Sequence, residues 1–168
     1  MKFKNSRTKI VTLPVLLRKL ESARSAGEQI VFTNGCFDLL HVGHIRCLEM
    51  ARALGDQLIV AVNLDASIRR AKGPDRPINP ARSRMELVAA LACVDWVISF
   101  GTDTPIRLIK ALKPDVLAKG GDWAAEAIVG RDMVEGLGGR VVRLPVVPGI
   151  RSTQLIEKIR KQVPRHKR

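Results

Sequence analysis

The sequence predicts an α/β chain built on a parallel sheet of about five strands with helices on both faces. Three observations carry this. Five short apolar runs are spread along the chain at strand length, and the stretches between them show helical spacing of apolar residues, several ending at glycines. The apolar content is mostly Val, Ile, Leu and Ala, with only 4 Phe, 2 Trp and no Tyr among 168 residues. Such a composition suits buried parallel strands covered by aliphatic helices.

The first helix is expected over 12–26, where Leu13, Leu16, Leu17, Leu20 and Ala23 form one stripe and Gly27 supplies the stop. Strands are expected at Ile30–Thr33, Leu58–Asn63, Trp96–Phe100, Val116–Lys119 and Val141–Leu144. Helices are expected between them: His44–Leu54 ending at Gly55, Pro80–Ala92, Thr104–Leu112, and Ala124–Leu137 ending at Gly138 and Gly139. Thr104 followed by Pro105 offers a hydroxyl cap and a proline at the first helical position. Ser152–Val163 completes the set. No repeat or composition break divides the chain, so one domain over 1–168 is expected, with a core at about 28–160 and basic, mobile tails at both ends.

Cys36, Cys47 and Cys93 are too few and too irregular for a disulfide framework, and no CxxC pair signals zinc. The N-terminus lacks the apolar run and cleavage site of a signal peptide, and no window approaches membrane-helix length. A cytoplasmic protein with no membrane partner is the expectation. The net charge of +13 calls for anionic partners: phosphorylated metabolites, membrane or nucleic acid. Much of it lies in the ends, at Lys2, Lys4, Arg7 and Lys9 and at Arg160, Lys161, Arg165, Lys167 and Arg168. An RNA-binding module is a rival on charge alone, but no aromatic stacking strand or RNA motif accompanies it, and no nucleic-acid partner is expected.

In a parallel sheet the ligand crevice lies beyond the carboxyl ends of the strands. The first strand continues as Thr33-Asn34-Gly35-Cys36-Phe37-Asp38-Leu39-Leu40-His41-Val42-Gly43-His44, which places two of the chain's three histidines within four residues. With a helix starting near Gly43, both rings converge on one point beside helix N-terminal amides, making an anion site with two imidazoles. A helix cap or packed side chain, or a metal such as zinc on His41 with His44, Cys36 or Cys47, are the competing readings, and a mononuclear zinc site would want further ligands at recognised spacings. Neither a Walker A loop nor GxGxxG is present.

Gly35 to His44 resembles the GxFDxxHxGH signature of the cytidylyltransferase-like nucleotidyltransferases, a family with a Rossmann-like sheet. Within it, the chain is most similar to adenylyltransferase domains that make ADP-heptose. That likeness runs through Ala61–Ser67, Lys72-Gly73, Arg76–Pro80, Val94–Val97 and Lys119-Gly120-Gly121-Asp122-Trp123, over roughly 28–160. The related bifunctional enzymes carry a sugar kinase domain ahead of this one, so a separate kinase protein is expected here. The resemblance implies transfer of AMP from ATP, with Mg²⁺ carried by the nucleotide, to a heptose 1-phosphate for lipopolysaccharide core precursors. The same fold using CTP and an alcohol phosphate such as glycerol 3-phosphate is the alternative. A homodimer is implied as well.

By this resemblance His41, His44 and Lys72, the last expected in a loop bounded by Gly and Pro, are the catalytic candidates. Thr33, Asn34, Gly35, Phe37 and Gly43 join the two histidines as nucleotide contacts, with Gly149, Arg151, Ser152 and Thr153 at the start of the last helix, where the family shows a Ser/Thr cluster and this chain inserts an arginine. Asp38, Asn63, Asp65, Arg76, Lys119, Gly120, Asp122 and Trp123 are the candidates for the acceptor, Asp38 orienting the loop or the acceptor rather than acting as a base. Arg84 stays open between a substrate contact and a surface charge. No metal-ligating residue is expected.

Overall fold

The apolar runs pair as one parallel sheet: β1 Ile30–Gly35, β2 Gln57–Asn63, β3 Trp96–Phe100, β4 Val116–Gly120 and β5 Arg140–Leu144, in the order β3-β2-β1-β4-β5. The computed structural model describes residues 5–121, 124, 127–145 and 149–162. The helices are α1 Leu13–Ser25, α2 Val42–Arg52, α3 Asp65–Lys72, α4 Ala81–Ala89, α5 Ile106–Leu112, α6 Arg131–Gly136 and α7 Ser152–Gln162. Among the described residues no helix is long and apolar enough to cross a membrane.

Alternation along the strands divides the core into two layers. Ile30, Phe32, Ile59, Ala61 and Leu117 face α1, α5 and α6, where Leu16, Leu20, Leu108, Ile109, Leu112 and Val134 are buried. Val31, Leu58, Val60, Val62, Val97, Val116 and Ala118 face α2 and α4, against Leu48, Ala51, Val88 and Ala89. Each such side chain stabilises the fold by about 1.5–3 kcal/mol when fully buried, so helices cover both faces of the expected Rossmann-like sheet because both are apolar. Carboxylates secure the strand starts: Asp115 accepts from the Ile30 amide at 2.7 Å and Asp95 from the Leu58 amide at 2.8 Å.

Four expectations are corrected. First, α3 is a helix where none is expected, and it makes Lys72 its last residue rather than a loop residue. Only Ser67 and Ile68 of α3 are buried, too few to leave a stripe in the sequence. Second, within the stretch expected as one helix over Ala124–Leu137, the described α-helix starts at Arg131, with Gly130 at φ +91° immediately before it. Third, α5 starts after Pro105, with no side-chain cap; the Thr104 carbonyl accepts instead from the Thr102 hydroxyl at 2.7 Å. Fourth, the N-terminal segment is packed from residue 5 on. Ser6–Lys9 form a 3-10 turn, Ile10 bridges Val97 at the β3 edge, Arg7 pairs with Glu86, and Lys9 donates to the Leu91 and Val94 carbonyls. The core therefore includes α1, ahead of residue 28. Residues 1–4 and 163–168, with Val163 and the remaining basic ends, lie outside the described residues.

Candidate active site

The sheet reverses direction of growth at β1, whose neighbours are β2 on one side and β4 on the other. Pairing of β1 with β4 is confined to Val31↔Val116 and Phe32↔Leu117, although β1 runs on to Gly35 and β4 to Gly120. The unpaired ends open a cleft of about 370 Å³ at the switch point, where open α/β sheets bind ligands. Thr33, Asn34 and Gly35 line it from β1, Gly120 from the end of β4 and Gly121 just beyond it.

The β1–α2 loop supplies its wall. Phe37 sits at φ +49°, a conformation that non-glycine residues adopt at some cost, and its ring packs 5.3 Å from that of His44. Gly35 leaves room for this ring, since a Cβ there would meet Phe37 Cε2 at 3.0 Å. His41 is the N-cap of α2, and its carbonyl accepts from the His44 amide at 2.9 Å. One turn of helix thereby stacks the two imidazoles, with centroids 3.8 Å apart and planes 21° apart. Both Nδ1 atoms are buried without a partner among the described residues. Burial lowers the pKa of both; His44 falls to about 4, with repulsion from His41 and Lys72 adding to its burial. No side chain caps α2, so its first-turn amides, the gap at Gly43 and the stacked rings face the cleft together.

Lys72, exposed at the end of α3, reaches the same cleft, as do Ile150, Arg151, Ser152 and Thr153 at the start of α7. The Ser152 hydroxyl donates to the Leu39 carbonyl at 3.1 Å, which ties α7 to the histidine loop. Gly149, at φ +79°, makes the turn into α7 without lining the cleft.

On the other side of β1 and β4 a second cavity of about 150 Å³ is lined by Asn34, Lys119, Asp103 and Thr104, over an apolar floor that includes Leu117 and Ile128. Lys119 Nζ donates to Asn34 Oδ1 at 3.0 Å across the gap between the strands, and Asn34 lines both cavities. Burial lowers the Lys119 pKa, an effect partly offset by the Cys36 and Cys47 thiols. Gly120 allows α2 its close approach: a Cβ there would stand 2.6 Å from Cys47 Sγ. Asp122 and Trp123 lie outside the described residues.

Four acceptor candidates are placed elsewhere, and Arg84 is the reason for two of them. Asp38, Asn63, Asp65 and Arg76 line neither cavity. Asp38 is buried and accepts from Arg76 Nε at 2.6 Å and from the Ile78 and Asn79 amides at 2.7 and 3.0 Å. Burial alone raises its pKa, but the Asn79, Arg76 and Ile78 bonds and the Arg76 charge leave it below the ordinary value. Its role is to hold the 76–79 loop. Arg84 is neither a surface charge nor a cleft residue: it has no exposed surface and donates to Asp65 and to the Cys36, Asn63 and Asn79 carbonyls. Leu48 and Pro145 are lining residues that the sequence did not single out, and Cys36 and Cys47 stood there only as metal-ligand alternatives. Cys47 stands three residues after His44, on the same helix face, and that spacing is the signal that finds it.

The cytidylyltransferase-like family profile matches residues 32–160. The chain is 54% identical over 151 residues to the bifunctional protein HldE of Ectopseudomonas mendocina, covering 90% of this chain and 32% of that protein. It is 55% identical over 150 residues to HldE of Alkalilimnicola ehrlichii, covering 89% and 31%. It thus spans about a third of the length of these relatives. The crystal structure of the lipopolysaccharide core biosynthesis protein from Thermoplasma volcanium is 32% identical with a TM-score of 0.58, covering 71% of this chain and 97% of that one. Pantoate-β-alanine ligase from Francisella tularensis, at 14% identity and a TM-score of 0.52 over 90% of this chain and 77% of that one, shares the fold alone. From the profile match and these identities, the chain belongs to the cytidylyltransferase-like family of nucleotidyltransferase enzymes.

Proposed function

We propose that this chain, acting as a single domain, transfers AMP from ATP to a heptose 1-phosphate, forming ADP-heptose and pyrophosphate for lipopolysaccharide core precursors. The observation that carries this is the stacked His41–His44 pair on an uncapped helix N-terminus, in a cleft that no carboxylate lines among the described residues. Such a site suits a polyanion. The names of the HldE and lipopolysaccharide core relatives support the heptose acceptor.

In this reaction an ionised oxygen of the sugar phosphate attacks the α-phosphorus of ATP. The bond from that phosphorus to the α,β-bridging oxygen breaks in line, and its electron pair leaves with pyrophosphate. No general base is needed. Positioning and charge stabilisation remain for the protein. His41 and His44 donate to the α-phosphate, Lys72 closes on the leaving group, and Arg151, Ser152 and Thr153 hold the β- and γ-phosphates. Thr33, Asn34, Gly35, Phe37, Gly43 and Gly149 shape the nucleotide cradle. Lys119, in contact with Asn34 between the two cavities, holds the acceptor phosphate, and the 150 Å³ cavity takes the sugar body. By the resemblance Asp122 and Trp123 serve the acceptor as well, and Gly120, next to Lys119 in the chain, lines the larger cleft.

Among the described residues no three or more His, Cys, Asp or Glu are arranged to hold a metal ion, and Mg²⁺ accompanying ATP would be held by phosphate and water oxygens, where it neutralises charge. A cytoplasmic homodimer completes the proposal, on the family resemblance.

The test is pyrophosphate release by purified protein with Mg²⁺, across ATP and CTP and several sugar and alcohol phosphates. ATP with heptose 1-phosphate is expected to be the best pair. Preference for CTP with glycerol 3-phosphate would reassign the substrates, and folded protein inactive with every pair would overturn the transfer reaction.

A further inference from the structure

We infer that a polyphosphate entering the cleft draws a proton from solvent onto the stacked His41–His44 pair, so that binding and protonation at this site are one linked event. This rests on the polyphosphate reading of the cleft given above.

The geometry supplies the coupling. Two imidazoles 3.8 Å apart repel each other when both are charged, and no carboxylate lines the cleft among the described residues. The groups facing the pair are Phe37 from the β1–α2 loop, Lys72 from α3, Arg151 before α7, the Cys36 and Cys47 thiols, and Lys119 on β4 behind those thiols. The one carboxylate of the loop, Asp38, is turned onto Arg76 and the 78–79 amides. Every fixed charge lining the cleft is therefore positive among the described residues; burial keeps the empty pair neutral, and for His44 repulsion from His41 and Lys72 adds to it.

A neutral imidazole has one donor and one acceptor nitrogen, whereas ionised phosphate oxygens only accept. Each neutral ring can turn at most one N–H towards the anion and brings no charge to it, its Nδ1 being buried without a partner among the described residues. Protonation adds a positive charge next to the anion and strengthens that hydrogen bond. Lys72 and Arg151 are already cationic and cannot serve. The anion thus reverses the electrostatics that hold the empty pair neutral.

By linkage, the bound state holds more protons than the free state, so affinity rises as pH falls. The slope approaches ~10-fold per pH unit between the free-site and bound-site pKa values. For the same reason, departure of the last phosphate-bearing product returns a proton to solvent.

The probe is Mg²⁺ with α,β-methylene ATP, which cannot transfer its nucleotidyl group. Calorimetric titration of the full chain at pH 6.5, in buffers of different ionisation enthalpy, measures proton uptake after subtraction of the analogue's own ionisation. Uptake of about half to one proton is expected. In parallel, the Cε1–H resonance of His44, assigned by its loss in His44→Gln, is expected at the neutral position in free protein at pH 6.5 and at the imidazolium position in the complex. Binding with buffer-independent heats, or a complex in which both cleft imidazoles stay neutral at pH 6.5, overturns the coupling and leaves the polyphosphate site intact. Folded protein that does not bind the analogue overturns both.

Discussion

Arg84 reaches Asp65 at 2.7 Å from a position with no exposed surface, and the same guanidinium donates to the Asn63 and Asn79 carbonyls at 2.7 and 2.9 Å and to that of Cys36. One α4 side chain thereby joins the loops after β1 and β2. Arg84→Met leaves these acceptors and a half-buried carboxylate unpaired, and is expected to lower unfolding free energy by about 3 kcal/mol. Urea denaturation checks this. The double variant Arg84→Met/Asp65→Asn should lose less than the sum of the single changes, because the two residues share one network; simple additivity would show that they do not.

A second prediction concerns acid. The free His44 imidazole titrates at about 4 in the folded chain against an ordinary 6.5, so the unfolded chain binds more protons between these values. Unfolding free energy therefore rises with pH across that window: the contribution is fully present above 6.5 and is lost as pH falls towards 4. His44→Gln should flatten this part of the stability profile, measured as Tm between pH 7 and 4.5. Asp38 acts further down, its lowered carboxyl giving stability that is lost only as acid protonates it. An unchanged slope in His44→Gln would mean that another group senses the acid.

Close packing of α2 on β4 gives a third. At Gly120 a methyl group would meet Cys47 Sγ at 2.6 Å, so Gly120→Ala displaces the thiol or the helix carrying His44. A loss of about 1–3 kcal/mol is expected, with reduced activity. Cys47→Ala in the same chain removes the obstructing atom and should restore most of both. Failure of this rescue would place the strain in the backbone at Gly120 instead.

The Lys119–Asn34 bond lies between the two cavities, which separates the acceptor side from the nucleotide side. Lys119→Ala should raise KM for the sugar phosphate at least ~10-fold while leaving kcat within a few-fold, as loss of a ground-state contact does. Steady-state kinetics with each substrate varied decides it; a fall in kcat at saturating acceptor would move Lys119 into transition-state stabilisation.

Which of these features sequence reveals depends on where their determinants lie. Strand positions were legible to within two residues because a strand buried on both faces must be an uninterrupted apolar run, as Leu58–Val62 is. The histidine pair was legible because its geometry is local, one helical turn from His41 to His44. Arg84 was not, since its burial is made by carbonyls 5, 21 and 48 residues away in sequence. Asp38 belongs to the same class: its partners stand 38 to 41 residues on. The short α3 was hidden because its exposed face is polar and only two of its residues are buried.

The most direct test of the account replaces His41 and His44 singly with Ala and follows pyrophosphate release. If the stacked rings stabilise charge on the α-phosphate in the transition state, kcat and kcat/KM should fall together, each by ~10² or more, as for removal of one oxyanion-type donor. A His44→Ala enzyme with near-normal kcat and only weakened ATP binding would contradict it, leaving the pair a nucleotide cradle and moving the catalytic charge to Lys72 or Arg151.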